Sequence, residues 1–152
     1  MLRLGWIACL VSAAGLAGCG GSSPAAVLPT TVPVGGVVLL DGKPLPRASV
    51  KFIPRGATKG VECYGITDDM GKYELMQMRG GTGAPPGEYM VVVNAFAKPD
   101  GTPVSMGPGD PPPANVGAVE SLPPRYSSYR ESKLMAQVSA SGGEFKFDLK
   151  SR

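Results

Sequence analysis

The chain has 152 residues, with 15 Lys and Arg against 12 Asp and Glu for a formal net charge of +3, and no histidine. Without histidine there is no Ser-His or Cys-His nucleophile pair and no histidine-ligated zinc centre, and the scattered single bases lack the clustered footprint of a nucleic-acid surface. Glycine (22) and proline (16) approach the level of a disordered chain, but twelve of them fall within 97–124 and leave alternating apolar segments on either side.

In chain order, Arg3 precedes an apolar run, 4–15, shorter than the roughly 20 residues of a membrane span. Leu16-Ala17-Gly18-Cys19 then reads as a lipobox: small side chains at Ala17 and Gly18 admit cleavage before Cys19, whose thiol is the nucleophile that takes the lipid. The expectation is a lipoprotein signal peptide over 1–18, a lipidated Cys19 and a flexible tether over 19–33. That places the rest outside the cytoplasm, anchored to the cell membrane or outer membrane. With Cys9 in the signal and Cys19 on lipid, Cys63 has no partner for an intrachain disulfide and is expected to be buried as a small hydrophobe.

The body, 34–150, reads as short strands separated by turns, with no helical period. Residues 37–40 end at Asp41-Gly42 and lead to 48–53, a first predicted hairpin. Residues 60–67 meet 71–78 across Asp68-Asp69-Met70-Gly71. The longest apolar strand is 87–95, where Tyr89, Val91 and Val93 share a core-facing side. After an insertion over 97–124, residues 134–140 and 144–149 form a last pair around Ser141-Gly142-Gly143, with Phe145, Phe147 and Leu149 on the core side. Seven short strands with no helix to cover a sheet must cover each other, so the expected fold is all-β, a β-sandwich, with a barrel as the alternative.

Three motifs carry a family resemblance. The run from Gly36 through Asp41-Gly42-Lys43-Pro44-Leu45 to Ala48-Ser49-Val50-Lys51-Phe52 resembles the opening of carboxypeptidase regulatory-like domains, and Thr67-Asp68-Asp69-Met70-Gly71-Lys72-Tyr73 is similar to their second turn. Pro86-Gly87-Glu88-Tyr89 resembles the lead into their central strand. The resemblance implies a seven-stranded transthyretin-like (prealbumin-type) sandwich in a small exported lipoprotein, and implies no chemistry. The hydrolases and iron dioxygenases with related sandwiches depend on histidine, so neither activity carries over. Related adhesin sandwiches join Lys to Asn through an isopeptide bond, for which Lys51 and Asn94 are the nearest pair; alternation turns Lys51 to water.

Asp68 and Asp69 supply too few oxygens for calcium, and Asp68 is explained by its turn. Met70, Met76 and Met78 offer thioethers suited to copper(I), but as strand and turn residues they read as gap-filling or surface. The proline-rich stretch around Pro111-Pro112-Pro113 is long for a loop and reads as a mobile surface insertion. Beside it, Arg125, Tyr126, Tyr129 and Arg130 collect residue types enriched at binding hot spots and form the candidate interaction site. The expectation is a non-catalytic module in binding or envelope structure, with no cofactor, no metal and no nucleic acid. Its partners are the membrane through lipid and an envelope protein or carbohydrate. The alternative is an accessory lipoprotein carrying a small ligand or carbohydrate.

Overall fold

The computed structural model describes residues 29–78 and 80–152. Leu16, Ala17, Gly18, Cys19, the signal segment and most of the tether lie outside the described residues. Strand β1 (Val34–Leu40) turns into β2 (Lys43–Pro44) through Asp41 at φ 52° and Gly42 at φ 80°. Two successive positive φ values make the tight hairpin turn that an Asp-Gly pair favours. The chain continues through β3 (Ser49–Pro54), β4 (Cys63–Ile66), β5 (Lys72–Glu74), β6 (Met76–Gln77) and β7 (Gly87–Asn94). Short strands β8 (Phe96–Ala97), β9 (Pro103–Val104) and β10 (Val119–Glu120) organise the insertion, with a 3-10 turn at Pro113–Val116. One α-helical turn, α1 (Pro124–Ser127), precedes β11 (Leu134–Val138) and β12 (Gly143–Leu149).

The protein is all-β. A five-stranded sheet runs β11-β7-β3-β4-β6, a four-stranded sheet joins β12, β1 and β2 with β5 also on β1, and a small sheet runs β10-β8-β9. Every pairing is antiparallel except β1 with β12, which is parallel from Val34↔Gly143 to Leu40↔Leu149. Three predicted pairings change. Residues 48–53 leave β1 for the other sheet, between β4 and β7. The 60–67 and 71–78 pair divides, with Tyr64↔Met76 kept and Tyr73 moved onto Gly36 of β1. The last pair is a corner rather than a ladder: only Ser139 and Gly142 bridge, while β11 joins β7 and β12 joins β1.

One physical cause explains all three. Each expected hairpin carries apolar residues on both arms, and those faces bury each other when the arms face across the core rather than lie side by side. Phe52 of β3 shows the result, its ring centroid 6.4, 5.7, 5.7 and 6.3 Å from those of Tyr73, Tyr89, Phe145 and Phe147. Tyr89, Val91, Val93, Phe147, Leu149 and Cys63 are buried as expected, and Phe145 is half-buried. Met90 and Val92, on the opposite side of β7, are buried as well: Arg55 lies on Met90, and Tyr129 lies on Lys51, the cross-strand partner of Val92.

Gly71 and Gly36 are among the glycines required by close approach. Gly71 has φ 73°, and a Cβ there would stand 2.5 Å from the Val38 carbonyl oxygen. At Gly36 a Cβ would overlap the Phe145 carbonyl, where β12 lies against β1.

Candidate functional site

The structure divides the four residues of the candidate site. Arg125 and Tyr126 lie on α1, which starts at a proline in its first turn, where a missing N–H is tolerated. The Arg125 guanidinium donates to the Lys150 carbonyl at 2.6 Å and stacks on the Tyr126 ring at 4.9 Å; the Lys150 N–H donates to Tyr126 Oη at 3.2 Å. The hydrogen bond from Arg125 holds the Tyr126 phenol below its ordinary pKa, helped by the Lys150 N–H and both nearby charges. Both side chains therefore close the backbone just past the end of β12.

Tyr129 is 48% exposed and lies elsewhere, beside Lys51 on the outer face of β3. Lys51 Nζ is 3.4 Å from its hydroxyl but 5.7 Å from the ring centroid, so the ammonium sits off the oxygen edge of the ring and not over its face. Arg130 is exposed, its backbone N–H bonded to Ser128 Oγ at 3.2 Å.

Glu120 is a residue that the sequence pattern does not single out. Its Oε1 accepts from the Ala95 N–H at 2.9 Å and the Leu122 N–H at 3.0 Å, and its Oε2 accepts from Asn94 Nδ2 at 2.7 Å. The carboxylate thereby ties the end of the insertion to the end of β7. Its one sequence signal is that it is the only acid between Asp110 and Glu131. Asn94 gives its amide to Glu120 and to the Ser127 carbonyl, while Lys51, half-exposed between the buried Val50 and Phe52, bonds Tyr129.

The remaining candidates have structural uses. Asp68 Oδ1 accepts from the N–H groups of Met70 and Lys72, both at 2.8 Å, and Asp69 lies 3.6 Å from Arg47 at the surface. Met70, Met76 and Met78 are exposed by 63%, 42% and 61%, on a turn, on β6 and on the turn after it. Among the described residues no three His, Cys, Asp or Glu side chains gather as a metal site. Burial pushes the Cys63 thiol up to about 11, with the Glu62 charge adding to the effect, so at neutral pH it is a protonated core side chain and not a nucleophile.

The insertion is more ordered than its composition implies. Pro112 leads into the 3-10 turn, which Gly117 ends at φ 68°, and β10 returns to pair with β8. Ala118 and Leu122 are buried, whereas 98–103 and 108–112 are exposed. A cleft of about 890 Å³ borders Gly35, Val37, Lys72, Glu74, Thr82 and Glu144. Glu74 and Glu144 both stand opposite Gly35, and Lys72 and Lys146 both stand opposite Val37.

No family model and no curated protein matches this chain. A solved 9R-lipoxygenase from Cyanothece PCC8801 is similar over 79% of this chain and 16% of its own length, at 16% identity and a TM-score of 0.31. A likeness that slight carries no statement about fold or activity.

Proposed function

We propose that the chain is a lipid-anchored, extracytoplasmic β-sandwich that acts by binding, in recognition or in the build of the cell envelope, and catalyses no reaction. The observation that carries this reading is Leu16-Ala17-Gly18-Cys19 behind a short apolar run, joined through a tether to a β domain that starts at Val34. The implied partners are the membrane, through lipid on Cys19, and an envelope protein or carbohydrate. Tyr129 and Arg130, exposed together after α1, supply the residue types such contacts use. The carrier alternative calls for a concave apolar pocket, and the cleft described above mixes Lys72, Glu74 and Glu144 with apolar Val34, Val37 and Leu75.

The transthyretin-like plan belongs to the same proposal. Seven strands have three residues or more, β1, β3, β4, β5, β7, β11 and β12, and the two larger sheets share the cluster around Phe52. Each motif behind the resemblance has a structural task. Asp41-Gly42 makes the hairpin turn. Thr67 Oγ1 accepts from the Ala48 N–H at 2.8 Å and donates to the Leu45 carbonyl at 2.6 Å. Tyr89 Oη donates to the Pro85 carbonyl at 2.7 Å.

Cell fractionation tests the anchor. Acyl chains contribute about 0.8 kcal/mol per buried CH₂, so two or more hold a protein stably at a bilayer. Cys19→Ser is expected to leave the precursor uncleaved or to release the protein from membranes. A membrane-bound product of unchanged mature size would overturn the reading.

A further inference from the structure

We infer that the open edge of β12 pairs with β12 of a second copy, antiparallel and centred on Phe145. This goes beyond the anchoring reading and rests on the sheet alone. In the four-stranded sheet β12 pairs only with β1, so its other side is an edge among the described residues. The Gly143 N–H donates to Pro33 and the Leu149 carbonyl accepts from Asp41 on the β1 side. Backbone groups alternate along a strand, so those of Glu144, Lys146 and Asp148 point out of the sheet. The edge is bounded at both ends. Arg125 and Tyr126 occupy the carbonyl and N–H of Lys150, and Gly142 bonds back to Ser139 through both its N–H and its carbonyl.

Charge selects the partner and the register. A symmetric pair of strands must be antiparallel, and outward-pointing residues must face each other to exchange hydrogen bonds. Centred on Lys146, the pairing sets Lys146 against Lys146 and Glu144 against Asp148, which repel. Centred on Phe147, it sets Lys146 against Asp148, whose carboxylate already holds Lys150 Nζ at 3.1 Å and stands alone in its row with Leu39 and Pro44, and it places Glu144 against Lys150, whose backbone is already taken by Arg125 and Tyr126. Centred on Phe145, it sets Glu144 against Lys146 twice, with about four main-chain hydrogen bonds, and the two half-buried Phe145 rings meet at the axis. In this register the row Glu74-Gly35-Glu144 of one copy continues into Lys146-Val37-Lys72 of the other, so each acidic row meets a basic one.

Sedimentation of the full chain in detergent micelles, with zero-length carbodiimide coupling of mixed light and heavy isotope-labelled copies, tests the pairing. The expected result is a concentration-dependent dimer with a mixed-label crosslink between Glu144 and Lys146. Both side chains are exposed, so their reversal leaves the fold intact, checked by circular dichroism. Glu144→Lys or Lys146→Glu alone turns both cross-strand pairs repulsive and should weaken the dimer about tenfold or more; the double exchange should restore it. A monomer at every concentration, a double variant as weak as the single ones, or mixed-label crosslinks only at other residues would overturn the proposal. None of these outcomes depends on lipid at Cys19, so failure here leaves the anchoring test unaffected.

Discussion

Glu120 sits in a stretch with no apolar period, yet three donors converge on its carboxylate, from Ala95, Leu122 and Asn94. Removing one partner of a buried hydrogen bond leaves the other unsatisfied, which costs more than the bond itself contributes. Glu120→Ala is therefore expected to destabilise the protein by about 1 to 3 kcal/mol, read as a lower denaturant midpoint. Glu120→Gln should cost less, because Oε1 keeps its two N–H donors and only the contact with the Asn94 amide becomes donor against donor. If the two variants unfold with the parent, the clamp has no energetic weight. The same scale separates Arg125 and Tyr126 from Tyr129. Composition groups them, but the first two bond Lys150, whereas Tyr129 and Arg130 are exposed beyond α1.

At the scale of elements, the insertion is two pieces with different duties. The arm 98–117 carries β9 along the other edge of β8 and is otherwise largely exposed; it leaves β8 and returns in β10, where Ala97 and Val119 are direct cross-strand partners, while 118–122 is packed against the end of β7. The ends of the arm are thus already adjacent. Replacing 98–117 by Asn-Gly should change stability by no more than about 1 to 2 kcal/mol, because loop closure depends only weakly on length. Replacing the whole of 98–124 removes Glu120 and the buried Leu122, and should cost several times more. Urea unfolding of the two deletions side by side checks this. Equal midpoints would mean that the return strand is as dispensable as the arm. Strand register was likewise only half visible: alternation assigned Tyr89, Val91 and Val93 to the core, but which strand lies beside which depended on burial across sheets.

For the whole molecule, burial of the phenol and thiol groups between the sheets sets an alkaline limit. Cys63 is pushed from its ordinary 9.0 to about 11 by desolvation first and the Glu62 charge second, and Tyr89 from 10.0 to about 12 by desolvation first and the nearby Cys63 second; Tyr73 moves in the same direction through burial alone. Groups whose pKa is higher folded than unfolded hold their protons in the native state while the unfolded chain sheds them. Their effect on stability is absent below about pH 9 and becomes increasingly unfavourable as pH rises toward 12. The denaturant midpoint should fall steadily over that window, and Tyr73→Phe should flatten its upper part. A midpoint independent of pH between 9 and 11 would contradict the burial of Cys63. By itself the sequence determined what is local: the Asp41-Gly42 and Asp68-Gly71 turns, the buried side of β7 and the lipobox pattern, because each depends on neighbouring residues alone. Only the tertiary structure decided that the first and last expected hairpins part into different sheets and that β5 leaves the second for β1, that Glu120 clamps the insertion, and that β12 keeps an open edge among the described residues. Those outcomes depend on which apolar faces find each other across the core and on which backbone groups are left without a neighbour, and neither is written in any local run of residues.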